Sequence, residues 1–385
     1  MIPILYQEGE SFELTRIGPL TDCLTCHVVE ERNGQYELEI TYPINGRCGA
    51  DIKVGAIIES ATDDKSRYVG GKLIRNRFTV YKVTADISGI LIVHAEQSIM
   101  HRMKKTTVQP ITPGQYTAGQ AIALIRQNLA GTTYEDLKFQ FSYVSAQTQT
   151  AHKFGFTEPR TLMETMMGKR GSILDVYGGE FDWKSDRLQV IAENADHPRG
   201  RALGEIASVR YGVNLVDYTY EDDSAEQITG YLPYWKSQEE GGAEIVVIGS
   251  VIKYHTTVAR PYEKIIPLDL SGDFQEQPSV QQLNNLATEK IATTTYTKSS
   301  TSVNLKFIPR ESIGTSSGQY ATIGLCDTIP IHIQQINLDT TAKITKTDFD
   351  VLTERYLSVE AGSPKKTLAL ALAQTARQAG VSLYT

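Results

Sequence analysis

Apolar and polar residues alternate with period two over most of the stretch from Glu13 to Glu96. The runs Glu13–Ile17, Thr25–Arg32, Tyr36–Tyr42, Ile57–Ala61, Leu73–Val83 and Gly89–Glu96 predict consecutive strands, because strand side chains point alternately to two faces. Turn signals at Asn33-Gly34, Asn45-Gly46, Asp63-Asp64 and Gly70-Gly71 separate them. Asn33-Gly34, between two alternating runs, is the clearest hairpin signal in the chain. So many short strands predict a small barrel or sandwich.

After His101-Arg102-Met103-Lys104-Lys105 the period changes. Thr117 to Leu129 places Ala121, Leu124, Ile125 and Leu129 on one face with Gly131 as a stop, which predicts a helix. Phe139–Val144 reads as a strand, and Thr161–Leu174, carrying Leu162, Met166 and Ile173, as a second helix. From Leu174 to Trp183 the alternation returns, and after Lys184-Ser185-Asp186 it continues at Leu188-Gln189-Val190, predicting a hairpin. Gly178-Gly179 would then lie inside its first strand, where a glycine implies a bulge or the close approach of another chain. Beyond Glu205, strands are expected at Val209–Asp217, Ala225–Tyr234 and Ala243–Ser250. Ser279–Thr295 follows with Val280, Leu283, Leu286 and Ile291 at helical spacing, then a strand at Val303–Phe307 and β sequence again from Gln319. Thr367–Ala379, with Leu368, Ala371, Leu372 and Ala379, predicts a last helix.

The chain has 385 residues, too many for one small domain. Apolar residues make up 41% and charged ones 22%, ordinary values for a globular protein. The 20 tyrosines outnumber Phe and Trp together, which favours sheet and wet, amphipathic interfaces. A formal charge of -7 argues against tight binding to a phosphate backbone, since that affinity comes from counterions released by basic surfaces. MIPILYQEGESFEL lacks the basic and apolar regions of a signal peptide, and no apolar run reaches membrane-spanning length, so the expectation is a chain made in the cytosol with no membrane segment. Cys23, Cys26, Cys48 and Cys326 are expected to be reduced there.

The order Gly178-Gly179-Glu180-Phe181-Asp182-Trp183, a short turn, Leu188-Gln189-Val190, a polar loop with His197-Pro198 and Gly200, then Arg210-Tyr211-Gly212-Val213-Asn214-Leu215 resembles the N-terminal hub region of phage and prophage tail proteins. That family is called tail-associated lysin, prophage tail endopeptidase or baseplate hub. Gly324-Leu325-Cys326-Asp327-Thr328-Ile329-Pro330-Ile331 is similar to its late G-x-G-D-T-V-x-V strand, with Cys326 in place of the usual glycine, and Thr347–Gly362 to the segment that closes its second barrel. The resemblance marks Gly178, Gly179, Glu180, Arg210, Tyr211, Gly212, Asn214 and Asp327 as structural motif residues. It implies a β-rich α+β protein with two β-barrels of similar topology. The layout expected is 1–104 for the first barrel, 105–204 for an α+β domain, 205–270 with 319–362 for the second barrel, 271–318 for a small inserted α/β subdomain, and 363–385 for the C-terminal helix.

For function the resemblance implies a virion tail protein, a hub that forms a homotrimer. Three copies of a duplicated barrel then match the six-fold ring of the tail tube or distal tail protein. Fibre, spike or tape-measure protein would attach below, and DNA would be a transient passenger. No cofactor, metal or catalytic residue is expected, because relatives that hydrolyse cell wall do so with a further C-terminal region.

Other candidates for chemistry each have a plainer reading. Cys23-Leu24-Thr25-Cys26-His27 matches the C-x-x-C-H haem pattern, but if the stretch is a strand the two thiols point to opposite faces. Gly314-Thr315-Ser316-Ser317-Gly318 matches G-x-S-x-G, yet a polar loop precedes it where a nucleophile elbow needs a strand. Glu180 and Asp182, with Asp186 nearby, share one face of the hairpin and define an alternative, a peptidoglycan-degrading enzyme using a carboxylate pair. A third reading is a carbohydrate-binding virion component using exposed Tyr and Trp. Glu221-Asp222-Asp223 lacks the spacing of a calcium loop. Arg67, Lys72, Arg75 and Arg77, with Tyr68 and Phe78 interleaved, would suit single-stranded nucleic acid or, more simply, protect a sheet edge. No histidine pair at i, i+4 and no Walker loop is present.

Overall fold

The computed structural model describes the chain except for residues 9–12, 63–67, 70–71, 74, 146–149, 193–194, 224–229, 238–244, 254–264, 275, 293–299, 310–322 and 363–385. The G-x-S-x-G run and the C-terminal helix therefore lie outside the described residues, as do the side chains of Arg67, Lys72 and Glu221-Asp222-Asp223. No described helix is long and apolar enough to cross a membrane. The chain divides into two compact units, one holding Met1–Tyr218 with the strands from Asn304 onward, the other Thr219–Val303.

The first unit is organised by a 13-stranded sheet. Its N-terminal part contains β1 (Ile4–Glu8), β2 (Leu14–Pro19), β3 (Thr25–Glu31), β4 (Tyr36–Pro43), β5 (Ile57–Ala61), β6 (Arg75–Ala85) and β7 (Ile90–Gln97). Asn33, at φ 52°, makes the β3–β4 turn in the left-handed region that Asn tolerates better than most residues. Alternation buries Tyr36, Leu38, Ile40 and Tyr42 of β4 and leaves its other positions at or near the surface. Tyr36 meets Phe78 edge to face at 5.3 Å.

A middle α+β region follows: α1 (Ser98–Lys105), α2 (Ala118–Gln127), β8 (Gln140–Val144), α3 (Leu162–Met166), α4 (Ile173–Tyr177), β9 (Glu180–Trp183) and β10 (Arg187–Ile191). Capping boxes start α2, from Thr117 to Gln120, and α3, from Thr161 to Glu164, satisfying backbone donors that have no partner inside the helix. The single helix expected over Thr161–Leu174 is two short ones. Leu174–Tyr177, expected as strand, is helical: Ser172 caps α4 by accepting from the Asp175 N–H, and Gly178 ends it at φ 69°. The strand begins only at Glu180. The hairpin does form, with β9 antiparallel to β10 and β10 also parallel to β8. It is fixed to the N-terminal strands by buried amides: Asn76 Nδ2 donates to Tyr36 Oη and to the Trp183 carbonyl, each at 3.1 Å, and Gln97 Nε2 donates to the Lys184 carbonyl at 3.0 Å.

The remaining strands of this sheet are the two-residue strand Val209–Arg210, β11 (Leu215–Asp223), β12 (Ser300–Phe307), β13 (Thr328–Ile333), β14 (Leu338–Asp350) and β15 (Arg355–Gly362). β14 ties the sheet together. Its first half, Leu338–Lys343, pairs with β13, while Ile344–Asp350 pairs with β15 and Lys346–Asp350 also with β3. The main path runs β11-β12-β15-β14-β3-β4-β7-β6-β5-β1-β2, so it has two ends and closes no barrel among the described residues. The continuous strand expected over Val209–Asp217 is interrupted: Val209–Arg210 pairs in parallel with β13, a turn follows, and β11 starts at Leu215.

In the second unit, strand Gly230–Lys236 lies between antiparallel strands at Val246–Ile248 and Ile252–Lys253 and a parallel one at Ile265–Asp269. The helix Val280–Ala292 places Leu283 and Ala287 against Tyr231, Trp235 and Leu270.

Candidate functional site

The motif residues fall in two places that share β13. At its start is a junction of charged groups built by five segments far apart in sequence. Asn33, in the β3–β4 turn, donates from Nδ2 to the Gly179 carbonyl and accepts from the Phe181 N–H, both at 2.9 Å. It thus holds the first turn of β9 as a neighbouring strand would. Gly179, at φ 109°, leaves no room for a side chain, since a Cβ there would stand 2.9 Å from the Ile191 carbonyl oxygen. Glu180 is thereby directed at two cations: Arg32 Nε at 2.8 Å and Lys343 Nζ at 2.7 Å both donate to its Oε1. Its side chain is 5% exposed. Burial pushes the Glu180 carboxyl up, but the Lys343 hydrogen bond and the Arg32 charge outweigh that and hold it below its ordinary value. Such a carboxylate is stabilised as an anion.

Arg199 is a further buried charge, paired with the still less exposed Glu30. Its guanidinium, 7% exposed, donates to the Glu30 carboxylate and to the Phe181 carbonyl. Burial opposes its charge, yet the Glu30 carboxylate raises its pKa well above the usual value. Beside it, Gly200 lies so close to the next segment that a Cβ would be 1.8 Å from the Cys326 carbonyl oxygen. Arg201 then forks onto Asp327: backbone N to Oδ1 at 2.7 Å, Nε to Oδ1 at 3.3 Å and Nη2 to Oδ2 at 2.8 Å. Asp327 Oδ2 also accepts from Gly324 N at 2.9 Å, closing the turn that leads into β13. Cys326 occupies that turn at φ 72°, a conformation that glycine adopts without steric cost. This accounts for the glycine expected at the position. Burial pushes its thiol up to about 12.

The second place is the turn Arg210–Asn214. Asn214 Oδ1 accepts from the Arg210 N–H at 2.9 Å, the Asn214 N–H donates to the Arg210 carbonyl at 3.3 Å, and Gly212 supplies φ 74°. Arg210 Nη2 donates to Glu205 at 2.8 Å, and His332 at the far end of β13 stands 3.1 Å from both Glu205 and Asp339. Tyr211 and Val213 project outward, 53% and 57% exposed.

Gly178, Gly179, Glu180 and Asp327 therefore belong to the junction, whereas Arg210, Tyr211, Gly212 and Asn214 form the separate turn. Arg32, Arg199, Arg201 and Lys343 were not singled out from sequence, and Asn33 was read only as a turn residue. Apart from the Phe181 carbonyl that Arg199 meets, the partners described above are more than a hundred residues away, and the basic pair in the HPRGR loop is the one local signal. The junction is built to hold segments together. Glu180 and Asp182 are both withdrawn from solvent, the latter 2.9 Å from Lys184, which removes the open carboxylate pair that glycan hydrolysis needs. Among the described residues no three His, Cys, Asp or Glu side chains are grouped to hold a metal.

The fold is shared with solved phage-type tail proteins. The chain is similar over 99% of its length, and 100% of the other, to the prophage tail protein gp18 from Listeria monocytogenes EGD-e, with a TM-score of 0.58 and 13% identity. It is similar to the tail protein from Neisseria meningitidis MC58 over 96% of this chain and 98% of that one, with a TM-score of 0.53 and 9% identity. With the 43 kDa tail protein of prophage MuSo2 from Shewanella oneidensis the shares are 94% and 97%, the TM-score 0.51 and the identity 10%. No family model and no curated protein sequence matches the chain.

Proposed function

We propose that this chain is a structural hub of a phage-type tail, a non-enzymatic tail-tip or baseplate protein. The observation that carries this reading is the end-to-end correspondence with three tail proteins, two of them from prophages, each of which it covers almost completely. In this reading the strands on either side of the β14–β3 pairing form two barrel-like halves of similar topology. Three chains then assemble into a ring that imitates six subunits, as closed symmetry requires. The ring adapts the hexameric tail tube or distal tail ring to three-fold components beneath, a fibre, spike or tape-measure protein, and leaves a channel through which DNA passes. The acidic net charge of -7 suits a passage that should not retain DNA.

The test is light scattering of the purified chain followed by electron microscopy, alone and mixed with isolated tail tubes. A three-fold ring with a channel, or three-fold density at the tube end, is the expected result. A chain that stays monomeric at high concentration and also fails to bind tubes overturns it.

A further inference from the structure

The strands of the second unit carry apolar residues toward both faces of their sheet. Tyr231, Trp235, Val247, Ile252, Ile266 and Leu268 share a core with Leu283 and Ala287 of the helix Val280–Ala292. The alternate positions Leu232, Tyr234, Val246, Ile248, Ile265 and Pro267 turn the other way, because successive strand residues point to opposite faces. Register joins them into one patch: Tyr234 lies opposite Ile248, Leu232 opposite Pro267, and Ile265 beside them opposite Gly230. Val246, Ile248 and Ile265 are 49%, 57% and 37% exposed. Strands that are apolar on both faces belong to sheets covered on both, and among the described residues a helix covers one face only.

We propose that Thr367–Ala379 docks as a helix on this second face, its Leu368 and Leu372 covering Val246, Ile248 and Ile265, so that the sheet is held between two helices. The segment has the matching pattern, with Leu368, Ala371, Leu372 and Ala379 at helical spacing. As a helix its 13 residues would be about 20 Å long, against about 10 Å across three strands at the usual spacing. A helix that short is marginal in water by itself and needs an apolar surface to fold on. The described chain also ends where such docking requires. β15 is antiparallel to β12, with Gly362 opposite Asn304, so the chain leaves β15 heading back along the strand that arrives from the second unit at Val303. A segment tethered there meets the face at a far higher effective concentration than a second copy does. This docking is independent of the hub reading.

The full-length chain carrying the photo-cross-linker Leu372→p-benzoylphenylalanine would be irradiated, digested with trypsin and mapped by mass spectrometry. The expected cross-link joins position 372 to Val246, Ile248 or Ile265 of the same chain, in the peptides Ser237–Lys253 or Ile265–Lys290. Adding Val246→Ser and Ile248→Ser, both at exposed positions, should weaken that cross-link several-fold. Without the cross-linker, Leu368→Ser with Leu372→Ser should raise the fluorescence of anilinonaphthalene sulfonate several-fold, since that dye binds exposed apolar surface. A cross-link between two chains would assign the face to a second copy. That result, a cross-link confined to the first unit, no cross-link at all, or dye fluorescence unchanged by the Leu variant overturns the proposal.

Discussion

The junction around Arg199 and the turn at Arg210–Asn214 lie at the two ends of one six-residue strand, β13, yet they hold the fold by opposite means. The junction joins residues 126 to 169 positions apart through buried charge. The turn closes on itself within a few residues, through one glycine and the amide of Asn214, which is buried while Arg210 to Val213 are exposed. The difference teaches where motif residues become indispensable. A buried ion that loses its partner keeps its full desolvation cost, whereas losing a neutral hydrogen bond within a turn carries a smaller penalty.

Arg199→Met should break this contrast most visibly, because it strands the Glu30 carboxylate in the interior. A loss of about 3–5 kcal/mol is expected in urea unfolding of the parent and variant. The double variant Glu30→Leu with Arg199→Met should recover much of that loss, and failure to recover it would show that the pair is not the source. Glu180→Gln should cost about 2–3 kcal/mol, the scale of hydrogen bonds to charged groups, and should leave Arg32 and Lys343 without their anion. Because the folded pKa of Glu180 is depressed, its contribution is fully present above the unfolded value, close to 4.5, and is lost as pH falls through the folded value. The parent and Glu180→Gln unfolding curves should therefore converge below about pH 4.5. A gap that persists to the lowest pH would contradict the ion-pair assignment.

Cys326 sharpens the comparison through the backbone. At its positive φ, Cys326→Gly should stay within about 1 kcal/mol of the parent, relief of strain offsetting the lost thiol contacts. Cys326→Val should cost about 2 kcal/mol or more, since a β-branched residue is a true outlier there. Thermal unfolding orders the three, and a Val variant as stable as the Gly one would remove the conformational explanation. The smallest effects belong to the turn: about 1 kcal/mol for Asn214→Ala and less than about 0.5 kcal/mol for Tyr211→Ser, both read from denaturant midpoints.

Strands were legible where one face was buried, as at β3 and β4, because burial writes itself as alternation. α2 was legible for the same reason at a different period. Leu174–Tyr177 was not, since Leu-Asp-Val-Tyr alternates like a strand over four residues, too few to separate the two periods. The decisive signals were the Ser172 cap with Asp175 and the glycine at the C-terminus of the helix. α1 also escaped, because its cap is the Gln97 side chain, which accepts from Ile99 N and Met100 N, and glutamine is not among the usual capping residues. Of the junction, Asp327 was marked by family resemblance alone, and Glu180 by that resemblance and as half of a carboxylate pair. Nothing local reveals that Arg32 or Lys343 reaches Glu180, because pairing across sheets is decided by register, which one sequence does not display.

β14 exchanges neighbours midway along its 13 residues. A pull on its Asp350 end would meet interstrand bonds to β3 and β15 that stand across the direction of force and must rupture together, in shear, instead of opening one by one. Resistance to such loading is set by the rate of forced opening and not by equilibrium stability, so this strand gives the molecule mechanical toughness where two sets of strands meet.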